Sequence, residues 1–270
     1  MNEAYCLIRE GPHYRRNAFL EGLRKNGFAV HTSVPPDGPH AGDVLVIWNR
    51  YGDFASQADR FERAGGFVIV SENGYAGRDG DGRQYYALSS GWHQRPLIEP
   101  RLTDHGSRFT PLGIAVKPWR SDGSHVLICG QRGFGVRPHC MEMRWPGQTA
   151  NELRKFTKRP IRIRPHPEDK NVPPQDRTRR PLDEDLAGCW AVVVWSSTAG
   201  IKALLAGVPV FRCGPNFISE GAAKLGVAEI ESPFLGDRTE ALERTAWGQW
   251  SVQEIESGLP FQLWMENRGQ

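Results

Sequence analysis

The sequence predicts an α/β protein of two domains that face each other across a cleft. Three observations carry this expectation. The chain has 270 residues, enough for two domains of about 100 to 150 residues each. Short apolar runs alternate with amphipathic stretches in both halves. Between the halves that alternation breaks into Gly, Pro, Asp and Arg. Apolar residues make up 39% of the chain and charged residues 24%, which suits a packed core and excludes a disordered or fibrous class.

The first half opens with YCLIR, from Tyr5 to Arg9, as a strand, followed by a helix over Tyr14 to Asn26 that Gly27 closes. FAVHTS, DVLVIWN from Asp43 to Asn49, a helix over Phe54 to Ala64, and GFVIVSENG from Gly66 to Gly74 continue the rhythm. Near-continuous apolar runs separated by helices imply a parallel, Rossmann-like sheet covered on both faces. From about Tyr75 to Ser124 the composition reads as long loops and then a linker around Lys117 to Gly123. The boundary is therefore placed between an N-terminal domain of residues 1–118 and a C-terminal domain of residues 119–270.

A second alternation starts at HVLICGQRG and passes through a helix near Thr149 to Thr157 into the strand PIRIRPHP, from Pro160 to Pro167. LDEDLAGC reads as a short helix, AVVVWSS as a buried strand, TAGIKALLAG as a helix closed by glycine, and PVFRCG as a further strand. The tail from Thr239 to Met265 is helical by period and is assigned to the C-terminal domain. Its Trp247, Trp250, Phe261 and Trp264 read as core or interdomain packing rather than a stacking platform.

No stretch approaches the roughly 18 consecutive apolar residues of a membrane span, and the N-terminus lacks a basic segment followed by an apolar run. A cytoplasmic protein without a membrane span is expected. Cys6, Cys129, Cys140, Cys189 and Cys213 stand singly, with no CxxC or HxxxH pattern, and are expected to be buried free thiols. The net charge of +3 is small, but basic residues cluster at Arg154, Lys155, Lys158, Arg159, Arg177, Arg179 and Arg180. Arginine forks suit phosphate, so double-stranded DNA is a candidate partner; a solvated surface is the plain alternative.

Three segments carry candidate chemistry. In AVVVWSSTAGIKALLAGVPVF a buried strand ends in Ser196, Ser197 and Thr198 just where a helix begins. Such residues cap a helix, and they also present hydroxyls and backbone N–H groups to an anion at the positive end of its dipole. In IRIRPHP, His166 is fenced by Pro165 and Pro167 at a strand's carboxyl end, where open α/β sheets bind ligands. In SENGY, Glu72 stands at the end of a strand of the other domain, where a carboxylate can accept a proton. Asp79 and Asp81 in the Gly-rich loop read as turn residues rather than metal ligands.

Glu72-Asn73-Gly74, His166-Pro167 and Ser196-Ser197-Thr198 stand in the order in which GT-B type glycosyltransferases, among them sialyltransferases and capsular polysaccharide transferases, carry an acidic motif, a His-Pro motif and a paired Ser/Thr motif. The sequence resembles that group, and the strand-SS-helix run ending in LLAGVPVF is similar to the capsular enzymes in particular. WNRYG, from Trp48 to Gly52, SENGY and QWSVQEIESG resemble phage-encoded glycosyltransferases that modify hydroxymethylated pyrimidines in DNA. The resemblance implies transfer from a nucleotide sugar, with no other cofactor, and the absence of a DxD-like pair in the loops after the strands, apart from Asp79-Gly80-Asp81, points to a metal-independent reaction. Glu72 would be the base, or His93 in SGWH in its place. Gly130, Arg132, His166, Ser196, Ser197, Thr198 and Lys202 would hold the donor. A 5-hydroxymethylpyrimidine in DNA is the first acceptor expected, a surface polysaccharide the second. A non-catalytic nucleotide- or nucleic-acid-binding protein and a nucleotide-sugar epimerase are the rival readings.

Overall fold

The computed structural model describes residues 3–99, 108–133, 135–170, 172, 173, 175 and 180–268. The chain divides into two units, Met1–Gly113 with Glu243–Gln270, and Ile114–Leu242. In the first, the strands are β1 (Glu3–Cys6), β2 (Ala29–His31), β3 (Val44–Trp48), β4 (Phe67–Asn73) and β5 (Tyr86–Ser90), with helices α1 (Arg16–Lys25) and α2 (Asp53–Arg63). The run VLVI of β3 is wholly buried because helices cover both faces of the sheet. Val44 and Val46 pack with Phe19 and Leu23 of α1, and Leu45 and Ile47 with Ala58 and Phe61 of α2. The loop-like composition after Tyr75 hides β5, which pairs antiparallel with β4 and sets Glu72 opposite Ala87.

The second unit contains β6 (His125–Cys129), α3 (Trp145–Leu153), β7 (Ile161–Arg164), α4 (Leu182–Leu186), β8 (Cys189–Val194), α5 (Thr198–Leu205), β9 (Val210–Arg212) and β10 (Ala223–Leu225). Its strands are all parallel, in the order β10-β9-β8-β6-β7. Because β6 lies between β7 and β8, the chain winds outward from it in both directions, and β6/β8 is the topological switch point. Val126, Ile128, Ala191, Val193 and Phe211 form the centre of this core with Trp145 and Leu153 of α3.

The C-terminal segment consists of α6 (Thr239–Trp247), β11 (Gln249–Trp250), α7 (Val252–Ser257) and α8 (Leu259–Asn267). The tail is thus interrupted rather than a single helix: Ser251 starts α7 with a capping box to Glu254, and Gly258, at φ 88°, separates α7 from α8. The segment from Glu243 onward belongs to the first unit, not to the second as its position in the chain suggests. The reason lies in apolar area. Trp250, Ile255, Phe261 and Trp264 are buried in the core that α1 covers, and each such side chain is worth about 1.5–3 kcal/mol out of water. Gly22 of α1 makes the approach possible, since a Cβ there would lie 1.9 Å from the carbonyl oxygen of Ile255. β11 then adds to β5, completing a sheet in the order β11-β5-β4-β3-β1-β2 with β1/β3 as its switch point.

Among the described residues no helix is long and apolar enough to cross a membrane. The five cysteines are free. Burial pushes the thiols of Cys6, Cys129 and Cys189 up to about 12 and that of Cys213 to about 11.

Candidate functional site

In the second unit the carboxyl ends of β6, β7 and β8 bring together most of the expected donor-binding residues. Gly130 follows β6 directly and its N–H donates to the Arg164 carbonyl at 2.9 Å, tying β6 to the end of β7. Gln131 then reaches across the switch point. Its Oε1 accepts from the Ser196 backbone N–H at 3.1 Å and its Nε2 donates to Ser196 Oγ at 3.4 Å. Ser197 is the N-cap of α5, its hydroxyl oxygen accepting from the Ala199 N–H at 3.2 Å, and Thr198 is the first helical residue. The cap uses an oxygen lone pair and leaves the hydroxyl proton able to donate.

His166 follows β7 in the turn that Pro165 and Pro167 stiffen. Its Nδ1 accepts from the Glu168 N–H at 3.0 Å, so in the neutral ring the proton sits on Nε2. Burial, followed by the positive charge of Arg132, moves the imidazole below its usual value of 6.5. The group is therefore a neutral N–H donor at pH 7. Arg132 pairs with Glu168 at 2.9 Å. Lys202 is exposed on α5, about 6 Å of helix axis beyond Thr198, and is not gathered with the others.

In the first unit, Glu72 stands near the carboxyl end of β4 on the α2 side of the sheet, in line with Val68 and Val70. The strand hands over at Gly74, whose N–H donates to the Tyr85 carbonyl at 2.8 Å. A Cβ on Gly74 would lie 2.6 Å from the Cβ of Tyr85, which gives the glycine of the Glu-Asn-Gly triplet a packing reason. The structure brings Glu72 and His93 together, with His93 Nδ1 3.5 Å from Glu72 Oε1. The other ring nitrogen, Nε2, accepts from the Arg50 backbone N–H at 3.0 Å. Asp79 is a turn residue, as its setting suggests: its Oδ1 accepts from the N–H groups of Asp81 and Arg83.

Solved structures show the same architecture. The beta Kdo 2,7 transferase structure of Thermosulfurimonas dismutans KpsC superposes with a TM-score of 0.55 at 14% identity, over 100% of this chain and 99% of that one. The beta Kdo 2,4 transferase structure of the same organism's KpsC gives 0.58 at 14% identity, over 91% and 90%. The chain shares its fold with KpsC. No family model and no curated protein matches the sequence, so the likeness to KpsC is one of fold.

Among the described residues, the basic side chains singled out by the sequence do not form one surface. Arg154, Lys155 and Lys158 are exposed beyond the end of α3, before the amino end of β7 and thus away from the strand ends that carry His166 and Ser196. Arg159 is engaged with Glu231 at 3.1 Å and lies over the Trp190 ring at 4.1 Å. Arg180 binds the buried Asp185 at 2.7 Å, and Arg164, at the carboxyl end of β7, binds the same carboxylate. Arg177 and Arg179 lie outside the described residues. The described part of the run therefore splits between opposite ends of β7; Arg159 is paired with Glu231, and Arg180 shares the single charge of Asp185 with Arg164.

Sequence reasoning passed over Gln131, Arg50 and Gln249. Gln131 adjoins Gly130 in CGQRG, and its place after a central strand was a signal in plain view. Arg50 is 1% exposed and bridges Asp59 and Glu62, each at 2.6 Å. Nothing local marks an arginine in WNRYG as buried. Gln249 binds the loop after Glu72 from a point 173 residues further along the chain than Ala76.

Proposed function

We propose that the chain is a glycosyltransferase of the GT-B kind, moving a sugar from a nucleotide-sugar donor to a saccharide hydroxyl. The observation that carries this reading is the set of donors at the carboxyl ends of β6, β7 and β8. A neutral His166 presents Nε2–H, Ser196 and Ser197 present hydroxyls, and α5 presents its positive dipole end. Such fixed donors suit the negative charge that grows on a departing phosphate. In the transfer, the bond from the sugar's anomeric carbon to the phosphate oxygen breaks and its electron pair leaves with the nucleotide. The acceptor oxygen forms the new bond to that carbon, and its proton passes to Glu72. These residues use no metal in the proposed steps.

The two structural neighbours, both Kdo transferases by name, support sugar transfer, and of the two acceptors expected from the sequence the surface polysaccharide is taken forward. The divided basic residues give no support to a DNA acceptor. Calorimetry with nucleoside mono- and diphosphates tests the donor assignment without knowledge of the sugar. The double substitution His166→Ala/Ser197→Ala is expected to weaken nucleotide binding at least tenfold; unchanged affinity would remove the cluster from the site.

A further inference from the structure

We infer that His93 is a positioning residue for Glu72, held in the Nδ1–H tautomer, and not an alternative base. The inference rests on the assignment of Glu72 as the base and specifies how that carboxylate is aimed. The constraint begins at Arg50, whose guanidinium donates to both oxygens of Glu62, to Asp59 and to the Gly91 carbonyl, at 2.6 to 2.7 Å. The same guanidinium lies 4.0 Å over the ring of Trp92. Asn49, just before it, donates from its backbone to the Ser71 carbonyl at 2.9 Å. Arg50 thus joins the loop after β3 to the turn after β5, where His93 stands.

With both segments pinned, the Arg50 backbone N–H points at His93 Nε2. A nitrogen that accepts a hydrogen bond carries the lone pair, so the neutral ring keeps its proton on Nδ1. That nitrogen faces Glu72 Oε1 at 3.5 Å, and among the described residues neither atom, both buried, has another hydrogen-bond partner. The separation is at the outer limit of a hydrogen bond, and a shift of about half an ångström brings it to ordinary length. Taking a proton from an acceptor would cost His93 its bond from Arg50, since Nε2 would then meet one N–H with another. Donation to Oε1 instead fixes the carboxylate plane and leaves Oε2 as the oxygen that receives the substrate proton. An uncompensated buried carboxylate oxygen and ring nitrogen would each be costly; facing each other, they account for one another.

The tautomer is read without any substrate. Two-bond ¹H–¹⁵N correlation spectra of the full chain labelled in histidine are expected to show His93 protonated at Nδ1, the rarer form. An Nε2–H ring would overturn the inference whatever the protein's activity. Kinetics give the second arm, in the transfer assay. His93→Ala is expected to lower kcat about ten- to a hundredfold, with KM for donor and acceptor within twofold. His93→Asn, whose amide can donate from the Nδ1 position, should recover most of the loss, whereas His93→Gln should not. Adding His93→Ala to Glu72→Gln should cost nothing further. A multiplicative loss in the double variant, or full activity of His93→Ala, would refute positioning; full activity of Glu72→Gln alone would refute the base assignment instead.

Discussion

Gln249 offers a test of how the C-terminal segment supports the candidate site. Its side chain is fully buried. Oε1 accepts from the N–H groups of Tyr75 and Ala76 at 2.7 and 3.0 Å, and Nε2 donates to the Ala76 carbonyl at 2.7 Å. Gln249→Met keeps the volume and removes all three bonds. At about 1 kcal/mol net for each, and a further 1–3 kcal/mol for leaving the buried Tyr75 N–H unpaired, the loss is about 4–6 kcal/mol. For a unit of this size that lowers the melting temperature by about 10–20 °C. Tryptophan fluorescence reports the transition directly, because Trp250 is the next residue and lies in the same core. Thermal and urea unfolding of Gln249→Met within about 1 kcal/mol of wild type would refute the claim that this segment clamps the loop after Glu72.

Other expectations follow from the same packing. Gly74→Ala should destabilise the first unit by about 1–3 kcal/mol, because the added methyl meets the Tyr85 backbone as well as its Cβ; a neutral urea midpoint would contradict it. His125 is buried, and burial lowers its imidazole below 6.5. As pH falls through 6.5 the unfolded chain takes up this proton first, so stability falls until the pH reaches the lower folded value. The urea midpoint of wild type should therefore drop more between pH 7.5 and 5.5 than that of His125→Gln, and an equal drop would remove the assignment. Cys6, Cys129 and Cys189, with thiols near 12, carry only about one thiolate in ten thousand at pH 8. They should react with Ellman's reagent only on unfolding, and rapid titration of all five thiols in the native protein would show the burial to be wrong.

The parallel strands at the centre of both sheets were legible because they are buried; the first sheet is mixed, since β5 and β11 add to it antiparallel. Runs such as VLVI in β3 and AVVV in β8 need no partner in the sequence to be recognised as interior strands. The hydroxyl pair at Ser196 and Ser197 and the histidine at 166 were legible for a similar local reason, since a strand-to-helix junction and a Pro-His-Pro turn are written in adjacent residues. What escaped is nonlocal. β5 follows a Gly- and Asp-rich loop and owes its strand conformation to pairing with β4 and β11. The tail's return to the first unit depends on Gly22 opposing Ile255, and the burial of Arg50 depends on carboxylates nine and twelve residues away on α2. The partners of the arginine-rich run were hidden for the same reason: composition cannot tell that Glu231 and Asp185 pair with Arg159 and Arg180.

The central claim, glycosyl transfer with Glu72 as base, is tested most directly by turnover. Purified protein is incubated with a panel of nucleotide sugars, with and without saccharide acceptors and with hydroxymethylated DNA as a separate arm, and nucleotide release and products are read by mass spectrometry. The account predicts nucleotide release that requires a saccharide, a glycosylated product of matching mass, and a loss of about 100-fold or more in Glu72→Gln with donor affinity unchanged. Absence of turnover with every donor, or a Glu72→Gln variant that retains more than about a tenth of wild-type activity, would contradict it.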